Sequence, residues 1–86
     1  MSPVALRRVG LVLQPGFSAL SLAGILDSLT AVNALQADAV YRGEPLSDAG
    51  GTVISSAGLR VLTEPWSLPA DWHAVFVLAA DAAPAD

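Results

Sequence analysis

The chain has 86 residues, a net charge of −4, no cysteine, no lysine and four arginines. This excludes a disulfide framework, a thiol nucleophile and a thiolate metal site, and it lacks the basic patch of a nucleic-acid surface. Hydrophobic residues make up 53%, which excludes a disordered segment.

Taken in order, Met1–Leu6 reads as a frayed leader. Arg8–Leu13 is apolar at nearly every position, as a central parallel strand should be. Gln14-Pro15-Gly16 then breaks the run. Pro presets φ and Gly accepts a positive φ, so a turn is expected. A helix follows from Ser18 to Asn33. Leu22, Ile25, Leu26, Leu29 and Val32 recur with helical spacing and form one core-facing stripe. Ser18 is placed to cap the first turn and Asn33 to close the last. The other side carries Leu20, Gly24, Asp27 and Ala31, small and apolar for a solvent face. Leu20, Gly24 and Ala31 are therefore a candidate dimer surface.

Ala37–Ser47 reads as a weaker second strand, and Pro45 suits an edge position. Asp48-Ala49-Gly50-Gly51 is a turn. Thr52–Ser55 and Leu59–Leu62 read as a hairpin across Ser56-Ala57-Gly58. Glu64–Asp71 is a proline-bounded loop with one helical turn near Ser67-Leu68, and Trp66 and Trp72 pack at the periphery. Ala74–Ala80 is a continuous apolar run, read as a buried strand. A strand, a turn and a helix open a parallel α/β sheet, which needs both faces covered. One convincing helix cannot do that. The expectation is a piece of a larger domain, or a unit that needs a partner.

The start also has features of a secretory signal: Arg7-Arg8 before apolar residues, and Ala37-Asp38-Ala39 as a cleavage-like site. The break at Gln14–Gly16 and Asp27 within the second half argue for a βα turn instead. A membrane span needs ~20 apolar residues without such a break. No membrane partner is expected, and a reducing cytoplasm is compatible with the lack of cysteine.

Few residues carry chemistry. The turn holds one Gly, without the G-x-G-x-x-G or G-K-[ST] pattern of a nucleotide site. His73, the only histidine, follows Asp71 by two residues, so a base and its orienter are conceivable. No nucleophile motif accompanies them, and a structural histidine in a loop is the plainer reading. Ser18 and Ser21 have no adjacent base. Asp27 lies too far along the helix to reach the turn. No metal site, cofactor or catalytic residue is assigned.

The combination Pro15-Gly16-Phe17-Ser18, a helix ending Ala31-Val32-Asn33, Ser47-x-x-Gly50-Gly51-x-Val53-x-Ser55-Ser56-x-Gly58-Leu59-x-Val61 and the strand Val75–Leu78 resembles a known family. It is similar to the N-terminal half of the ThiJ/PfpI-like (class I glutamine amidotransferase-like) domain of GlxA-type regulators in the AraC family. The resemblance runs from about Arg8 to Ala80. It implies a flavodoxin-like three-layer sandwich with a parallel sheet, in which residues 1–86 form an N-terminal fragment with an inserted β-hairpin. The rest of the domain and the helix-turn-helix region would lie outside these residues.

The implied role is sensing a small-molecule effector, with homodimerisation, and DNA binding only through a region outside this chain. Catalytic members of the wider superfamily carry an acidic residue early in this helix and a cysteine on a later elbow. The corresponding residue here is Ser21, which cannot act as a carboxylate base. The Pro-Gly-Gly-like turn of family members is replaced by Ala79-Ala80-Asp81. Both departures favour a binding domain over an enzyme. Gly16, Phe17, Ser18, Ser21 and Ala80, at the carboxyl edge of the first and last strands, are the expected ligand-lining residues. The alternatives are the front of a ThiJ/PfpI-type hydrolase or lyase and a truncated stand-alone structural module.

Overall fold

The computed structural model describes residues 4–67 and 71–80. The elements are β1 (Ala5–Leu13), α1 (Ala19–Leu35), β2 (Ala39–Ser47), β3 (Gly51–Ile54), β4 (Arg60–Pro65) and β5 (Trp72–Leu78). They form one five-stranded sheet of order β3-β4-β2-β1-β5. β2, β1, β5 and β4 run parallel, and β3 pairs antiparallel with β4. The β2-β1-β5 order is that of the first three strands of a flavodoxin-like sheet. A five-stranded sheet with one helix is thus consistent with part of a flavodoxin-like α/β domain, with two of its three layers among the described residues.

Strand alternation sorts β1 into two faces. Val9, Leu11 and Leu13 form the core with Phe17, Leu22, Val53 and Leu78, and Ile25, Leu26 and Leu29 of α1 pack against it. Leu11 and Phe17 are completely buried. Burying each such side chain contributes about 1.5–3 kcal/mol. The predicted helical stripe therefore holds through Leu29. It fails at Val32, which is exposed. Asn33 takes the inward role instead. Its side-chain amide donates to the Tyr41 carbonyl, and its side-chain oxygen accepts from the Tyr41 N–H, both at 2.8 Å. Asn33 does not end the helix, which continues to Leu35 and stops at Gln36 in extended conformation.

Three strand expectations are corrected. β1 begins at Ala5, so Ala5 and Leu6 belong to the strand; Met1–Pro3 lie outside the described residues. β2 is interior, between β1 and β4. Pro45 is tolerated there because β4 pairs only with Leu46 and Ser47. The Ser47 carbonyl accepts from the Trp66 N–H on the β4 side. Pro45, two residues earlier, turns its missing donor to that same side, just before pairing begins. Tyr41 faces that side too, and Asn33 substitutes there for the absent strand.

β5 is an edge strand rather than a buried one: Val75, Phe76 and Val77 are exposed, and only Leu78 is buried. It also begins at Trp72, so His73 sits on a strand and not in a loop. The hairpin is as read, with Gly58 at φ 86°. Of the expected helical turn, Leu68 lies outside the described residues, and β4 takes up Glu64 and Pro65.

The face away from α1 carries Arg8, Glu44 and Trp72. Arg8 donates to both Glu44 carboxylate oxygens, at 2.7 and 3.1 Å. Its guanidinium lies 4.2 Å from the Trp72 ring centre. Gly10 makes room: a Cβ there would come 3.1 Å from a Leu46 methyl and 3.4 Å from the Trp72 ring. Hydrogen bonds from Arg8 hold the Glu44 carboxyl below its ordinary pKa; desolvation opposes this, and the charges of Arg8 and Arg42 reinforce it.

Candidate ligand cleft at the first strand-to-helix turn

Chain connections leave β1 toward β2 on one side, while β5 lies on the other. The carboxyl ends of β1 and β5 therefore flank a switch point, where open α/β sheets form ligand sites. A cleft of about 310 Å³ opens there, lined by Ser18, Ser21, Ile25, Phe76, Val77, Leu78 and Ala79. A wider groove of about 570 Å³ shares Ser21, Ile25 and Phe76 and runs on along α1 past Gly24, Ser28 and Leu29.

The turn that shapes the cleft is fixed on two sides. The Gln14 N–H donates to the Leu78 carbonyl at 3.1 Å, tying it to β5. The Gly16 N–H donates to the Ile54 carbonyl at 2.8 Å, and the Ser56 N–H to the Phe17 carbonyl at 2.9 Å. The hairpin is thereby latched onto the turn. Gly16 has φ 85°, a conformation open to Gly at little cost. Inside the hairpin, the Ser55 hydroxyl accepts from the Ala57 and Leu59 N–H groups at 3.2 and 3.0 Å. The two most specific stretches of the sequence, the Pro-Gly-Phe-Ser turn and the Gly/Ser-rich hairpin, are thus two halves of one structural joint.

The expected ligand-lining residues divide three ways. Ser18 and Ser21 line the cleft. Ser18 also caps α1, its hydroxyl accepting from the Ser21 N–H at 3.2 Å. Gly16 and Ala80 sit against each other beside it, since a Cβ on Gly16 would lie 3.3 Å from that of Ala80. Phe17 has no exposed surface and anchors the turn from the core side, so it cannot touch a ligand here. Sequence reasoning missed Ile25, Phe76, Val77, Leu78 and Ala79. Ile25 lies one helical turn after Ser21, and Phe76 and Leu78 share a strand face; both relations were available from periodicity.

Among the described residues, no ionisable side chain lines the cleft. His73 is five residues before Leu78 on β5, about 16 Å along the strand, and its ring packs edge-on against Tyr41 instead. It cannot serve as a base for Ser18 or Ser21, which require one within hydrogen-bond reach. The described residues hold no cluster of histidine and carboxylates able to bind a metal. No helix among them is long and apolar enough to cross a membrane. On the outer side of α1, Leu20 is 82% exposed, Ala31 is exposed and Gly24 faces open space.

No protein-family model matches the chain. Over 74 residues, 85% of its length, the chain is 38% identical to the HTH-type transcriptional regulator GlxA of Rhizobium meliloti (strain 1021), of which it spans 23%. Its structure is similar to that of an AraC family transcriptional regulator from Pseudomonas putida, with a TM-score of 0.77 and 29% identity, covering 93% of this chain and 44% of that one. The chain thus spans about a quarter of the curated relative and under half of the structural neighbour. It is homologous to a GlxA-type transcriptional regulator and shares its fold with an AraC-family one.

Proposed function

We propose that residues 1–86 form the first half of a ThiJ/PfpI-like effector-sensing domain in a cytoplasmic transcriptional regulator. The cleft between α1 and β5 binds a small molecule and does not transform it. DNA binding belongs to another region of such a regulator, and the Leu20/Gly24/Ala31 face of α1 joins two copies.

One observation carries the reading. The cleft stands at the switch point of the sheet, yet among the described residues the side chains that line it are hydroxyl and hydrocarbon only. Ser21 stands where catalytic relatives of the family it resembles place an acidic group. The likeness to two transcriptional regulators supports the same role.

The test is melting temperature across a panel of metabolites, for the protein and for Ser21→Trp, with mass spectrometry of each mixture. A ligand at a hundred times its Kd stabilises by about 2.7 kcal/mol, a shift of several degrees. At least one compound is expected to raise the melting temperature of the parent but not of Ser21→Trp, and to be recovered unchanged. Turnover of the bound compound, or equal shifts in both proteins, would contradict the reading.

A further inference from the structure

Arg7 and Arg8 are neighbours in sequence with opposite surroundings. Arg8 is matched by Glu44 and stacked on Trp72. Arg7, among the described residues, has no carboxylate at ion-pair distance. Its Nη1 donates to the Tyr41 hydroxyl at 2.6 Å. A guanidinium only donates, so the Tyr41 oxygen accepts and its own proton remains free to donate. Tyr41 is held in place by the two bonds from Asn33 to its backbone.

His73 reaches the same ring, with centroids 5.4 Å apart at 71°. It does so through a register break. Arg8 pairs with Trp72 and Val9 with Ala74, leaving His73 as the extra residue of a bulge. The bulge leaves Trp72 over Arg8 on one face and puts both His73 and Ala74 on the other.

We propose that Arg7, Tyr41 and His73 form an oxyanion site at the amino edge of the sheet, remote from the ligand cleft. Three side chains from three adjacent strands converge there. Arg7 can only donate, Tyr41 has a free O–H, and His73 donates from both nitrogens when protonated. That set fits a carboxylate or phosphate group, with the remaining Arg7 N–H groups supplying the charge-assisted bonds.

The test is NMR of the His73 ring in the intact protein at one fixed pH. Inorganic phosphate and acetate are titrated separately at constant ionic strength. A saturable shift is expected, weakened about tenfold or more in Arg7→Gln and about threefold or more in Tyr41→Phe. Arg7→Lys, which keeps the charge but loses the planar fork, should fall between the parent and Arg7→Gln. Stronger binding of phosphate would identify a free phosphate group as the ligand type, and equal or stronger binding of acetate an acidic side chain. Shifts that never saturate, or that are the same in Arg7→Gln with its fold intact by circular dichroism, would overturn the site.

Discussion

Gly50 and Gly58 share a positive φ, 76° and 86°, but differ in what surrounds them. A Cβ on Gly58 meets open space, whereas one on Gly50 would come 2.7 Å from Pro65 Cδ and 2.9 Å from its backbone nitrogen. Gly58→Ala is therefore expected to cost only the left-handed strain, about 1–2 kcal/mol. Gly50→Ala adds a clash with backbone that cannot rotate away, and should cost about 3 kcal/mol or more. Denaturant unfolding of both variants checks the difference. Asn33→Ala strips two partners from the Tyr41 backbone and is expected to cost about 2 kcal/mol by the same measurement. Glu44 gives a pH dependence. Its folded carboxyl titrates below the ordinary value of 4.5. The stability it contributes is thus complete above that value and lost as pH falls through the lower, folded one. Glu44→Gln should flatten this acid limb of the melting-temperature profile.

At the scale of elements, the reading of the sequence succeeded where a local rule decides and failed where a neighbour decides. The α1 cap at Ser18, the stripe through Leu29 and the hairpin turn at Gly58 follow from local chemistry alone. β5 did not. Ala74–Leu78 is apolar throughout, and such a run does not reveal whether anything covers it. β2 failed in the opposite direction. Pro45 argues locally for an edge and Gly43 for a weak strand, but β4 begins pairing only after Pro45, and α1 uses Gly43 as a packing surface. A Cβ on Gly43 would lie 2.6 Å from a Leu26 methyl and 3.3 Å from methyls of Leu11 and Leu29. Gly43→Val should therefore lift α1 off the sheet and cost about 1–3 kcal/mol in denaturant unfolding. The site was half legible for the same reason. Ser18 and Ser21 follow from the turn and the helix start. Phe76 and Leu78 come from a strand whose place beside β1 no local pattern states.

At the scale of the whole molecule, among the described residues one helix covers one face of a five-stranded sheet, and exposed apolar residues remain on β5 and on the outer side of α1. The α1 surface at Leu20, Gly24 and Ala31 is the proposed contact between two copies. An arginine at Gly24 would bring a long charged side chain into that contact, so Gly24→Arg should shift the intact protein toward monomer in light scattering. An unchanged mass would remove the surface from the account. The cleft at the switch point carries the larger claim, that the protein reads a small molecule and passes the reading to transcription. The most direct measurement is a reporter driven by a promoter that responds to the intact protein, as the proposal requires, compared between the parent and Ser21→Trp across growth conditions. With the cleft filled, the reporter is expected to stay at one level under every condition while the parent still responds; a Ser21→Trp protein that responds like the parent would contradict the claim.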